Sequence, residues 1–413
     1  MKDSSLYSRY SSEYGKIPAL FILFMRLMNR LFNNVYISYF KYFSRVNSNT
    51  IVFLSTPDYA DNSRALSEYL AKNFAGKFTL YWCVDNLNIF SKRYPDEKVI
   101  FVQKRNKYGE LKFGTIPIVM RAKYIMATHA FFVNKSQSND DQVYIRLWHG
   151  CGYKDKSEID NKKFRVFDYA LVSGPLFVKT KTHYWNVEES RILPLGYPRY
   201  DWLLKKTDKA IDYYNRIRGN SKKVIIWMPT FRNALNKKMS NFDGPSVFPL
   251  MSGGRSWELL NEVCEKNSVY ILVKRHQFQL DYNINFDSLK NISLISDSDF
   301  DREDIPMYQF LAVTDGLITD YSSVAFDYLI VNKPIAFALD DYEYYKEKRG
   351  FVFDDPRNYM PGHHLYKIED LCTFVNDVAE GNDFYVGERK RISEMAIHHS
   401  ENYCKEIADA IFS

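Results

Sequence analysis

Cysteine is scarce and badly placed for cross-linking in this 413-residue chain. There are five, at positions 83, 151, 264, 372 and 404. The number is odd, no CxxC occurs, and the spacings suit neither a disulfide framework nor a zinc site. A reducing setting with buried, apolar cysteines is therefore expected. Long apolar runs are missing too. Residues 17 to 43 are rich in Ile, Leu, Phe and Tyr, but Arg26 and Arg30 interrupt them. No uninterrupted stretch reaches the roughly 18 to 20 residues that span a bilayer. An acid close to the start and the lack of a small-residue cleavage site argue against a signal peptide. Internal repeats, low-complexity tracts and nucleic-acid-binding motifs are absent, so a nucleic-acid partner is not expected.

The chain does hold 46% hydrophobic and 26% charged residues, a globular balance, over a length that suits two α/β domains. The net charge of +6 is unevenly spread: residues 1 to 50 carry seven cationic side chains against Asp3 and Glu13, an excess of five. Two readings fit this basic amphipathic segment. It can lie on an anionic membrane surface, or it can pack on the protein's own core.

Past residue 50, short β-rich runs alternate with helical stretches. TIVFLS, FTLYWCV, KVIFVQ, KYIMAT and VYIRLW form one series; KKVIIWMP, VYILVKRH, NISLIS, DGLITD and KPIAFAL form another. The turn-rich LPLGYPRYDWLLKK lies between them. The expectation is a basic segment over 1–50 and two Rossmann-like domains, 51–200 and 201–413, facing each other across a cleft.

Ligands of such sheets bind beyond the carboxyl ends of strands. Four expected strand ends deliver ionisable groups or phosphate donors: His149-Gly150-Cys151-Gly152, Pro229-Thr230-Phe231-Arg232, Arg275-His276, and Asp320-Tyr321-Ser322-Ser323. In the last, Asp320 or Ser322 can cap the helix that follows, leaving first-turn amides and two hydroxyls directed at an anion. The acids of DSDFDRED (297 to 304) resemble a metal-binding DxD, but they read better as a solvated loop before a helix. A divalent metal is thus allowed and not indicated, and no cofactor is expected. Asp340, Asp341, Asp354 and Asp355 are ambiguous in the same way.

The stretches LWHGCGYK (147 to 154), LGYPRYD (195 to 201), MPTFR (228 to 232), LVKRH (272 to 276) and GLITDYSSVAFDYLIVNKPIAFALDDYEYYKEKRGFVFDD (316 to 355) resemble the CDP-glycerol glycerophosphotransferases of teichoic acid and capsular polymer synthesis. The resemblance implies a GT-B-like pair of domains, with CDP-glycerol or another CDP-alditol bound mainly by the C-terminal one. It implies a lipid-linked or polymeric polyol or saccharide acceptor, and a peripheral place on the cytoplasmic face of the membrane. Cys151 and Gly152 stand where the family usually has Thr and Pro, and Gln277 where it usually has Pro.

The implied reaction is attack by an acceptor hydroxyl on the β-phosphorus, with CMP leaving. Arg232, His276, Ser322 and Ser323 are then the donor-phosphate ligands, and Asp320 an orienting group or helix cap. His149 is the general base, with His276 also placed to assist the leaving group. The rival expectation is a GT-B glycosyltransferase using a CMP-activated sugar.

Overall fold

A computed structural model describes residues 2–95, 98–154, 167–230, 248–251, 253–274 and 286–412. By its contacts the chain forms two compact units. The first ends at His149 and also takes in the strand Tyr169–Leu171; the second holds Gly150–Lys154 and the chain from Val172 onward.

The first unit contains the parallel strands β1 (Asn47–Leu54), β2 (Thr79–Val84), β3 (Ile100–Gln103), β4 (Ala122–Ala127), β5 (Val143–Arg146) and β6 (Tyr169–Leu171), in the spatial order β3-β2-β1-β4-β5-β6. The second contains a two-residue strand β7 (Ile192–Leu193). It also holds a parallel sheet of β8 (Lys223–Trp227), β9 (Val269–Lys274), β10 (Ile292–Ile295), β11 (Gly316–Thr319), β12 (Ile335–Ala338) and β13 (His363–Leu365), in the order β10-β9-β8-β11-β12-β13. Both orders are doubly wound, and each reverses direction beside its first strand. Central strands such as β11 and β12 are buried at every residue, which is why they read as continuous apolar runs.

The expected N-terminal segment is a helix over Lys2–Tyr14 followed by a 28-residue helix over Lys16–Phe43. Ala19, Asn33, Ile37 and Phe40 of the longer helix are buried. Tyr36 stacks on Phe113 at 4.1 Å, and Asn33 donates to the Leu111 carbonyl at 2.9 Å. Arg26 and Arg30, two of the cations in the basic excess, both reach Glu110, at 2.8 and 3.0 Å. The opposite face, with Ile17, Leu20, Phe21, Phe24, Leu27, Leu31, Val35 and Tyr39 among its residues, is exposed. At about 100° per residue these side chains cover an apolar arc of roughly 120°. One face thus packs on the core while the other is left apolar and open. No described helix is long and apolar enough to cross a membrane.

In the second unit Asp327, on the short helix Val324–Tyr328, is fully buried. It accepts from Arg199 Nη2 at 2.7 Å and from the hydroxyls of Tyr200 and Tyr308, each at 2.6 Å. Burial first, and the Asp327 charge second, push the Tyr200 phenol well above its ordinary pKa, so it remains a donor. A buried ion pair that loses one member strands the other charge. Asp327→Ala is expected to cost about 3–5 kcal/mol of stability, read as a lower urea midpoint. An unchanged midpoint would show that the cluster carries no such load.

Candidate active site

The switch point of the second sheet lies where β8 and β11 run side by side, Trp227 opposite Ile318. The chain leaves β11 through Asp320, Tyr321, Ser322 and Ser323. Asp320 does not cap the helix, one of the two roles expected of it. The helix begins at Val324, and the residue before it is Ser323, whose side chain makes no capping bond. The buried Asp320 carboxylate instead accepts from the Thr230 amide at 2.8 Å and from the Thr230 hydroxyl. Thr319 Oγ1 donates to the Met228 carbonyl at 2.8 Å, a further tie between the two strand ends. Asp320 therefore fixes Thr230, two residues before Arg232. Arg232 and His276 themselves, like Gln277, lie outside the described residues.

Ser322 and Ser323 are half-buried. The Gly150-Cys151-Gly152 loop lies against Ser323. A Cβ on Gly150, which sits at φ +135°, would fall 2.5 Å from Ser323 Oγ, and one on Gly152 3.1 Å from Ser323 Cα. A side chain at 152 would thus crowd the Ser323 backbone, and one at 150 would also meet a backbone conformation that favours glycine. Cys151 is buried with its sulfur 3.1 Å from the Tyr197 hydroxyl, and Tyr153 donates to the Tyr359 carbonyl at 2.9 Å. All five cysteines are free thiols, and burial pushes Cys83 up to about 12.

His149 belongs to the first unit, just past β5. It is half-buried, and its Nδ1 lies 3.3 Å from the Thr128 carbonyl. A carbonyl only accepts, so Nδ1 carries the proton in this contact, and in the neutral ring Nε2 is then the unprotonated nitrogen. The ring stacks on His129 at 4.4 Å, nearly parallel, and against Trp148 at 4.0 Å. His129 Nδ1 in turn lies 2.9 Å from the Thr128 hydroxyl. Sequence reasoning missed Thr128 and His129. They follow β4, the strand beside β5, but nothing in KYIMATHA alone says so.

The acids of 297 to 304 are not a loop. Asp297–Glu303 is a helix with a capping box between Ser296 and Asp299. Asp297 pairs with Lys274 at 2.9 Å, Asp304 with Lys209 at 3.2 Å, and Glu303 with Arg216. Asp340 accepts from the Leu250 amide, Asp341 from the Tyr321 hydroxyl, and Asp355 caps and pairs with Arg357. Among the described residues no group of three or more His, Cys, Asp or Glu is placed to hold a metal ion.

Comparison with known proteins bears on the fold and the family. The wall teichoic acid polymerase TagF superposes with a TM-score of 0.73 over 95% of this chain and 97% of its own, at 20% identity, a likeness of fold. The teichoic acid glycerol-phosphate primase of Bacillus subtilis is 24% identical over 337 residues, 77% of this chain and 80% of its own length. The teichoic acid glycerol-phosphate transferase of Staphylococcus aureus is 26% identical over 376 residues, 85% of this chain and 89% of its own. The teichoic acid ribitol-phosphate primase of Bacillus spizizenii is 27% identical over 300 residues, 66% and 70% of the two chains. The profile of one family matches residues 36–413. This chain belongs to the CDP-glycerol:poly(glycerophosphate) glycerophosphotransferase family.

Proposed function

We propose that the protein transfers glycerol phosphate, or a related alditol phosphate, from its CDP-activated form to a hydroxyl of a lipid-linked or polymeric polyol or saccharide. The family match over 36–413 carries this reading. The acceptor oxygen bonds to the β-phosphorus as the bond from that phosphorus to the bridging oxygen breaks. CMP leaves with the bridging electron pair, and the acceptor's proton passes to Nε2 of His149. The hydrogen bond from Nδ1 to Thr128 supports this role, because it fixes the tautomer a base needs. Arg232 and His276 balance the diphosphate charge, Ser322 and Ser323 donate to its oxygens, and Asp320 orients Thr230 at the approach to Arg232.

The same protein rests on the cytoplasmic face of the membrane through its long N-terminal helix. Sequence counting suggested an electrostatic attachment, but Arg26 and Arg30 are committed to Glu110 on the packed face. The open face is apolar, with the exposed Lys16 and Arg45 flanking the helix. Insertion of apolar side chains into the interface is therefore the main attachment, with anionic lipid assisting.

Incubation with CDP-glycerol, CDP-ribitol and CMP-sugars, together with a polymer acceptor, tests the reaction through CMP release. Release from a CDP-alditol is expected, and release from CMP-sugars alone would overturn the assignment. His149→Ala should lower turnover roughly 10²-fold or more with donor affinity near normal; normal turnover would remove His149 as base. Arg232→Ala should weaken donor binding by on the order of 1.5–3 kcal/mol, measurable by calorimetry with CDP-glycerol, and unchanged affinity would place Arg232 elsewhere. For the membrane, cosedimentation with anionic vesicles should persist at about 1 M salt, where the Debye length is about 3 Å, and should be lost in Leu20→Asp/Phe24→Asp/Leu31→Asp. Complete release by salt would show that charge, not the apolar face, makes the attachment.

A further inference from the structure

The backbone that delivers His149 is strained. Trp148, the residue before it, sits at φ +56°, a left-handed conformation that a bulky aromatic residue rarely adopts. Such a conformation persists only where its surroundings over-determine it. Two things hold it. The Arg146 guanidinium lies over the Phe131, Trp148 and Phe167 rings at 5.7, 5.4 and 5.2 Å, which fixes the indole from the strand side. The backbone itself is gripped by Asn62, in the first turn of the helix Asp61–Asn73. Asn62 is fully buried, and its Nδ2 donates to the Trp148 carbonyl at 2.8 Å and to the Leu147 carbonyl at 3.2 Å.

We infer that Asn62 is a positioning residue for His149. Its amide supplies both of its N–H donors to the two carbonyls that precede the histidine. Those carbonyls lie just past the end of β5, on the two residues that lead into the histidine. Fixing them sets the peptide plane leading into His149, and with it the distance from Nδ1 to the Thr128 carbonyl and the stack on His129. Only a side chain with two N–H donors on one atom can do this. A carboxylate of the same shape would set negative oxygen against both carbonyls, so Asn and Asp are not interchangeable here. Asn62 does not touch the reacting atoms; it acts through His149.

The inference rests on His149 being the base, and the experiment separates the two claims. Turnover at saturating donor and acceptor, and KM for CDP-glycerol, are measured for Asn62→Asp, His149→Ala and the double variant. Displacing a catalytic group by about 1 Å costs roughly 10²-fold. Asn62→Asp is therefore expected to lower kcat by about that factor with KM for the donor unchanged, and the double variant should be no slower than His149→Ala. A merely structural contribution would slow the double variant further, the two losses multiplying, and would overturn the role. Normal turnover in Asn62→Asp beside a slow His149→Ala would overturn it as well, and leave the base in place. Normal turnover in His149→Ala would remove the base and this role together. If Asn62→Asp does not fold, Asn62→Ser carries the same comparison: it keeps one donor without the buried charge, and a smaller loss with the same non-additivity is expected.

Discussion

A carboxylate held at zero exposure sets what the second unit can be. Asp327 has a full charge and little water, so it must find donors on neighbouring elements, and it finds three: Arg199, Tyr200 and Tyr308. Arg199 and Tyr200 are consecutive, Tyr308 comes from a separate short helix, and all converge on the helix that follows Ser322 and Ser323. The helix is only five residues long. Its own backbone bonds would not define its place on the sheet, whereas three charge-assisted bonds to one side chain do. A second buried acid, Asp320, also ties elements together seven residues earlier, before the helix begins. By accepting from Thr230 it ties the exit of β11 to the exit of β8, so the two strand ends at the switch point move as one piece.

That rigidity explains the glycines of the His149 loop. A surface already fixed at Ser323 cannot yield to a Cβ at 2.5 Å, so the approaching chain must give way instead, and glycine at 150 and 152 is how it does so. The stiffness on the other side of the peptide bond from His149 to Gly150 has a different source. There a left-handed tryptophan is held by an arginine among three rings and by a buried amide. The conformations of the residues before and after the histidine are therefore set independently, which suits the proposed role of His149 as a base.

What was legible in the sequence follows from the physics of parallel sheets. All ten strands expected from apolar runs form, because a strand covered on both faces must be apolar throughout. The strands Tyr169–Leu171, Ile192–Leu193 and His363–Leu365 escaped notice: two or three residues leave no pattern to see, and HHL is not apolar. The strand ends at His149, Thr230 and Ser322 were visible because a strand that stops at a polar group announces it. The residues that hold those ends were not. Arg199 and Asp327 lie 128 positions apart, Asn62 and Trp148 86, Thr230 and Asp320 90, and a single sequence contains no sign of such pairings. The acids at 297 to 304 were misplaced for a related reason. An acid that caps its own helix and one that stands in a loop look alike until a partner such as Ser296 is seen to complete the box.

The N-terminal helix shows the same limit with a functional consequence. Counting charges assigns every arginine to solvent, yet burial and pairing decide which charges a surface can feel. Arg26 and Arg30 fall on the face that carries Asn33 and Ile37, and Glu110 meets both of them there. Those arginines anchor the helix to the core rather than to lipid. An anchored helix is in turn what lets an apolar face remain exposed: were it free, it would turn that face inward, as any amphipathic helix does in water. With the inner face locked by ion pairs, an asparagine bond and the Tyr36–Phe113 stack, the outer face stays exposed among the described residues. In the proposed attachment the ion pairs act indirectly, by fixing which side of the helix faces outward.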